Sequence, residues 1–283
     1  MNTTQEANAE QSALWNGSAA RGWIDAKELL DQILEPFEDL LVEAVAERKA
    51  QRVLDVGCGT GATTLAVARL LAKSKGNAVG LDISEPMIAL ARERAEREGA
   101  PARFICADAQ THAFEPASFD MIISRFGTMF FDDSVSAFAN LRRAAAPNAA
   151  LRAIVWRGAA DNPFMTTAER AAAPFLPEIP PRRPDEPGQF AFADRDRVHS
   201  ILEKSGWSEI DMRPLDVVCT LPERELKPYI SRLGPLARVL PQVDEHKRAA
   251  IIDKVRAAFE PFVRGAEVRF TAACWTVGAR AAR

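Results

Sequence analysis

Residues 53–61, VLDVGCGTG, leave this chain few folds to choose from. An apolar run of Val53, Leu54 and Val56 leads into glycines at alternate positions, Gly57, Gly59 and Gly61. Helical text follows at once, from Ala62 to Ser74. A buried strand, a tight turn and a helix start in succession form the opening unit of a parallel α/β sheet. Glycine serves in such a turn because it reaches positive φ and lets a ligand approach bare backbone. The first amides of the helix have no partner inside it and face the same ligand.

Two kinds of ligand use a turn of this sort, and the glycines alone do not choose between them. Gly57-Cys58-Gly59-Thr60-Gly61-Ala62 fits the dinucleotide pattern G-x-G-x-x-G/A, and Asp82 follows at about the expected 20 residues. Asp55 weighs against that reading. A charge in the last turn of a buried strand is costly unless something pairs with it. Its carboxylate would repel a pyrophosphate and attract an ammonium or a sulfonium. D-x-G-x-G-x-G, headed by Asp55, is the better description.

The next strands repeat the arrangement. Residues 77–84 read as a strand ending at Asp82, residues 102–106 as a third strand followed by Asp108, and residues 119–124 as a fourth. Ser84, with Glu85 and Pro86 behind it, is placed to cap the following helix, which leaves Asp82 for a ligand. One aspartate at a strand-to-loop junction is often a turn former. Three of them, after three consecutive strands, fall where doubly wound sheets bind their ligands.

From about residue 50 to 156 the chain resembles the class I S-adenosylmethionine-dependent methyltransferases, of the bacterial small-molecule and ubiquinone-pathway type. The resemblance implies an α/β fold: a doubly wound, Rossmann-like sheet of seven strands, the last antiparallel, with helices on both faces and a helical cap. It implies S-adenosyl-L-methionine as cofactor, held by Asp55 and the turn Gly57, Cys58, Gly59 and Gly61. Asp82 would accept the ribose hydroxyls with Ile83 beside it, and Met87, Asp108 and Ala109 would meet the adenine. Ser124 and Arg125 mark the strand end nearest the sulfonium. One departure stands at Ala146-Pro147-Asn148-Ala149-Ala150, where the family has proline and two glycines; Asn148 tolerates the left-handed turn.

Ahead of the sheet, apolar positions from Leu29 to Val45 recur at helical spacing, interrupted by Pro36, and read as one or two helices packing beside the sheet. Trp15-Asn16-Gly17 and Arg21-Gly22-Trp23 precede them. They read as a hydrophobic clamp or as a flap over the cofactor, with Trp15 and Trp23 against it and Arg21 meeting the methionine carboxylate. A similar W-x-G…W opening in the resembling proteins favours the flap. Behind the sheet, residues 158–190 are rich in proline and residues 222–264 are largely helical. If the sixth strand, near residues 207–219, is parallel to the others, both segments start over the ligand face and cap a small-molecule pocket. The organisation expected is therefore a helical segment over 1–50, a cofactor-binding core over 51–157, and the rest of the sheet with its cap over 158–283.

The methyl acceptor is expected to be a small molecule. Phe126, Phe130 and Phe131 suggest a wall for it, with Trp156 and Tyr229 as further candidates. Asp132 or Asp133 is better read as a helix cap than as a catalytic group. His112, His199 and His246 read as surface residues, so no catalytic residue is assigned.

Bulk properties narrow the partners. A formal net charge of −3, without a basic block, lacks the footprint of a nucleic-acid binder. The first residues lack a secretory pattern, and no apolar run approaches the ~20 residues that span a bilayer. Four cysteines, at 58, 106, 219 and 274, form no C-x-x-C pair and read as reduced thiols of a cytoplasmic protein without a metal site. Two other readings stand beside the methyltransferase: an NAD(P)-dependent oxidoreductase, and a non-catalytic S-adenosylmethionine-binding protein.

Overall fold

The computed structural model describes residues 8–176 and 186–282. Three helices, α1 (Ala9–Asn16), α2 (Ser18–Asp25) and α3 (Lys27–Arg48), precede the sheet. The alternating part runs β1 (Arg52–Val56), α4 (Ala62–Leu71), β2 (Asn77–Asp82), α5 (Glu85–Glu98), β3 (Ala102–Cys106), β4 (Phe119–Arg125), α6 (Ser134–Ala144) and β5 (Ala145–Trp156). Two helices, α7 (Pro163–Ala172) and α8 (Arg195–Lys204), lead to the long strand β6 (Trp207–Pro222). Helices α9 (Leu226–Arg232), α10 (Gly234–Val239) and α11 (Glu245–Ala258) follow, then β7 (Val263–Arg264) and β8 (Glu267–Ala281).

The strands form one sheet in the order β3-β2-β1-β4-β5-β8-β6, and β7 pairs only with β8. The seven expected strands are present, and the two-residue β7 makes an eighth. Strands β1 to β5 are parallel. Strand β8 runs antiparallel to both β5 and β6, so β6 is parallel to the rest. Strand order reverses between β1 and β4, which is where the ligand crevice of a doubly wound sheet opens. The β1-α4-β2 and β4-α6-β5 units build outward in opposite directions. Right-handed crossovers then put their helices on opposite faces. Covered on both sides, β1 buries Val53 to Val56 without alternation.

Helix α3 buries Leu30, Ile33, Leu34, Phe37, Leu41 and Val45 along one stripe. Of the one or two helices expected around Pro36, a single one forms and runs through the proline for 22 residues. The carbonyl left without a donor belongs to exposed Gln32, where water can serve it. Two expected caps form, Ser84 on α5 and Asp133 on α6. Asn148 takes φ 62, but within β5 and not in a separate turn, where the register with β4 shifts between Ala145 and Ala150.

Strand β5 stops pairing at Trp156, opposite Cys274. Strands β6 and β8 continue past that point as a two-stranded ladder, from Leu215 opposite Cys274 to Pro222 opposite Glu267. Residues 223–262 therefore leave the sheet on the side of the parallel strands' C-terminal ends. Their core is aromatic: Phe164 of α7 stacks on Phe270 at 3.8 Å and meets Phe259 and Phe262 edge-on. The Asn162 side chain ties α7 to the sheet, exchanging two 2.9 Å hydrogen bonds with the backbone of Ala273. Helix α2 packs against α9 and α10, and Gly22 lies so close to the Arg232 carbonyl that a methyl group there would overlap it. Among the described residues, no helix is long and apolar enough to cross a membrane. Of the proline-rich segment, residues 177–185 lie outside the described residues.

Candidate functional site

The glycine turn is fixed from two sides. Gly57 and Cys58 both donate their amides to the Leu81 carbonyl, at 2.8 and 3.1 Å, which lashes the turn to β2. Gly57, Gly59 and Gly61 sit at φ 69, 55 and 87, where a side chain would be strained. A Cβ on Gly57 would also stand 2.6 Å from the Gly127 α-carbon, in the loop after β4. Ser124 locks this approach: its hydroxyl donates to the Val56 carbonyl at 2.8 Å and accepts from the Gly127 amide at 3.2 Å. Ser124 is thus engaged in the architecture of the crevice and is fully buried there.

A small cavity of about 40 Å³ opens above the turn, between Asp55, Gly57 and Arg125 on the sheet side and Trp23, Lys27 and Asp31 on the helix side. That is room for a few waters, since each needs roughly 10–15 Å³ on this measure. A nucleoside needs the helices to move away from the turn.

Asp55 is 2% exposed. Thr64 donates its hydroxyl to Oδ2 at 2.7 Å, while Oδ1 is buried with no hydrogen-bond partner. Burial pushes the carboxyl up to about 6, against the pull of Thr64 and of the positive Arg125. The Thr63 hydroxyl, on the same cavity, is likewise buried without a partner. Native interiors leave few such groups unmet, so two on one cavity point to a ligand that completes them. Arg125 reaches the Leu34 carbonyl at 3.2 Å, and burial lowers its pKa. Arg94 braces the far side, bonded to Thr60 and, at 2.9 Å, to Asp31.

The other expected contacts fare unevenly. Asp82 lies at the end of β2 but is not wholly free: Oδ2 accepts from the Gly59 amide at 2.8 Å and Oδ1 from the Ser84 amide at 2.9 Å. Each oxygen keeps a further lone pair, so a ribose would share the carboxylate with the backbone. Burial raises its pKa. Asp108 forms a turn on itself, accepting from the Gln110 amide at 2.9 Å, and Ala109 is buried with its carbonyl taken by Asn140. Met87 is buried, with its sulfur beside Gly59, and Ile83 offers its carbonyl to Asn16 at 3.2 Å. Burial pushes the Cys58 thiol well up, which leaves it protonated and unreactive.

Among the flap residues, Trp15 meets Trp23 and Phe130 edge-on, at 6.1 and 5.0 Å between ring centres. Asn16 latches the flap to the β2–α5 loop, accepting from the Glu85 amide at 2.9 Å. Trp23 lines the cavity; Arg21 is exposed and does not. Residues two apart on a helix point about 200° apart, so Trp23 facing inward turns Arg21 to solvent. The cations on the cavity are Lys27 and Arg125. Sequence reasoning missed Lys27, Asp31 and Thr63, which read as ordinary helix positions.

The expected aromatic wall is corrected in part. Phe126 is buried, stacked on Trp156 at 4.7 Å and edge-on to Phe37, and Trp156 is buried with it. Both belong to the core behind the crevice. Phe130 stays half-buried against Trp15. Tyr229 sits in the aromatic cluster of the cap, donating to the Met165 sulfur at 3.5 Å, and burial raises its pKa. His199 and His246 are exposed, and His112 packs edge-on against Phe114.

Comparison with known proteins agrees with this geometry. The family described as "Methyltransferase domain" matches residues 53–148, from the glycine turn to the start of β5. Residues 53–148 are similar to a methyltransferase domain. A demethylmenaquinone methyltransferase of Thermus thermophilus is 35% identical over 130 residues, 44% of this chain and 58% of that protein. The enzyme of the same name from Renibacterium salmoninarum is 28% identical over 185 residues, 62% and 75% of the two chains. The chain spans about half the length of most curated relatives it matches. Among solved structures, the YcgJ protein of Bacillus subtilis shares the fold, with a TM-score of 0.57 at 16% identity over 87% of this chain and 98% of that one.

Proposed function

We propose that the protein binds S-adenosylmethionine at the β1–β4 crevice and transfers its methyl group to a small-molecule acceptor. The observation that carries this reading is the buried Asp55 carboxylate, with one oxygen unpartnered on a cavity floored by glycines. A nicotinamide dinucleotide would bring its pyrophosphate against that carboxylate, which disfavours the oxidoreductase alternative.

When bound, S-adenosylmethionine supplies an electrophilic methyl group on a sulfonium. The residues of this chain bind, orient and exclude water. Asp55 and Thr63 would meet the cationic end. The second lone pairs of Asp82 would take the ribose hydroxyls, and Asp108 with the Ala109 amide would take the adenine edge. Trp15, Trp23 and Phe130 would close over the ligand with the flap. The acceptor would lie between that flap and the cap.

Calorimetric titration with S-adenosylhomocysteine, S-adenosylmethionine and NADH tests the reading. Saturable binding of the first two, and none of NADH, is expected. NADH binding without them would overturn it. Two relatives are named for demethylmenaquinone, so quinone precursors are the first acceptors to assay, followed by small phenols and amines. Tight binding without turnover of any acceptor would favour the non-catalytic binder.

A further inference from the structure

Arg125 is a half-buried cation that gives most of its donors to no protein group among the described residues. A guanidinium carries five N–H donors. Among the described residues Arg125 makes one hydrogen bond, from Nη1 to the Leu34 carbonyl at 3.2 Å, and no carboxylate comes within ion-pairing distance. The acids that act on it through space are Glu38, Asp55 and Asp31, and Asp31 is already paired with Arg94. Lys27 faces the same cavity. Its only ion pair among the described residues is with neighbouring Glu28, at 3.4 Å; the Glu28 side chain is 92% exposed, so that pair holds it weakly.

The backbone aims Arg125 deliberately. The next residue, Phe126, sits at φ 64, a conformation bulky side chains rarely adopt. Its ring is buried against Trp156 and Phe37, so packing in the core sustains the strain. The turn that results sends Phe126 behind the sheet while its neighbour Arg125 lines the cavity.

We infer that Arg125 and Lys27 hold the carboxylate of the ligand's amino-acid end, on the same cavity where Asp55 and Thr63 offer unpaired oxygens to its ammonium. The inference rests on the cofactor reading above and goes beyond it. The cavity selects a complete α-amino-acid zwitterion, and Arg21 has no part in the selection. Arg125 contributes most because its planar fork can grip a carboxylate with two parallel bonds, whereas Lys27 offers a point charge.

The test compares S-adenosylhomocysteine with its decarboxylated analogue, 5′-S-(3-aminopropyl)-5′-thioadenosine, by calorimetry. The probes differ only by the carboxylate. The wild-type protein should prefer the intact ligand by about tenfold or more, the factor expected of a charge-assisted bond. Arg125→Met should weaken S-adenosylhomocysteine by a similar factor and leave the analogue nearly unchanged, so that the preference collapses. Lys27→Met should reduce the preference less, and Arg21→Ala should leave it intact. If Arg125→Met does not fold, Arg125→Lys and Lys27→Met carry the same comparison, each expected to shrink the preference.

Equal weakening of both probes in Arg125→Met would make the residue merely structural and overturn the inference. So would a wild-type protein that binds both probes alike, and the cofactor reading would survive that result. A wild-type protein that binds neither probe at millimolar concentration would overturn the cofactor reading, and this inference with it.

Discussion

The crevice and the cap of this protein are built on opposite terms. Around Asp55 and Thr63, buried polar atoms are left without partners, and Arg125 beside them makes one hydrogen bond among the described residues. Around Phe164, apolar rings fill one another's space, and the one polar group among them, the Tyr229 hydroxyl, is directed at a methionine sulfur. Unmet bonds cost stability that a ligand can return, and close packing supplies stability that asks nothing of a ligand. The cap is thus stable without a ligand, whereas the crevice is completed by one.

The largest expected effect falls on the cap. Phe164 is 2% exposed and touches Phe259, Phe262, Phe270 and Tyr229. Phe164→Ala should cost about 3–5 kcal/mol in urea denaturation, as buried Phe-to-Ala changes do. Among the molecules that remain folded, affinity for S-adenosylhomocysteine should change by less than about threefold, because none of these rings lines the cavity. A loss of affinity as large as the loss of stability would show that cap and crevice are one unit, and the contrast would fail.

The crevice and the cap were also unequally legible in the sequence. The glycine turn, the strand-end aspartates and the caps at Ser84 and Asp133 are local patterns, where a few adjacent residues fix the geometry. The cap's helices were visible as periodicity, but its partners were not. The stack of Phe164 on Phe270 joins distant segments, and nothing near either residue announces it. Phe126 shows the limit more sharply. An aromatic just after a strand is equally good as a wall or as core, and a left-handed φ decides between them without a glycine to signal it. Arg21 was chosen for its charge, yet the helical period and the close approach of Gly22 to Arg232 decide that Trp23 faces inward.

Asp55→Asn should act with the opposite sign. Burial raises the Asp55 pKa to about 6, so the folded protein holds this proton more tightly than the unfolded chain does. Below about pH 4 the residue is protonated in both states and costs little. As pH rises toward 6 the unfolded chain ionises first, stability falls, and above the folded pKa the full penalty of about 3 kcal/mol applies. The asparagine removes that penalty, so the ligand-free variant should gain about 2–3 kcal/mol at pH 8 and roughly half as much at pH 5. Its affinity for S-adenosylmethionine should fall. In the wild type that affinity should climb between pH 5 and 7, as a carboxylate forms to meet the cation, and in the variant it should not. Urea denaturation and calorimetry at the two pH values read both quantities. A variant less stable than wild type at pH 8 would mean that Asp55 is already satisfied without a ligand.

The smallest effect belongs to the latch that fastens the flap beside the crevice. Asn16 is exposed, yet it accepts from the Glu85 amide at 2.9 Å and donates to the Ile83 carbonyl at 3.2 Å, joining the flap to the loop that follows Asp82. The flap also carries Trp23, which lines the cavity of about 40 Å³, and this latch resists any movement of the flap that would widen it. Asn16→Ala removes the latch without touching the cavity. Exposed hydrogen bonds contribute only about 0.5–1.5 kcal/mol, so global stability should hardly move. Amide exchange over residues 9–25 should quicken by roughly tenfold, the factor that about 1.4 kcal/mol of local opening gives. Ligand release should quicken with it, while association should be unchanged or faster. Slower association, with exchange unaltered, would mean that Asn16 shapes the path of the ligand and does not fasten the flap.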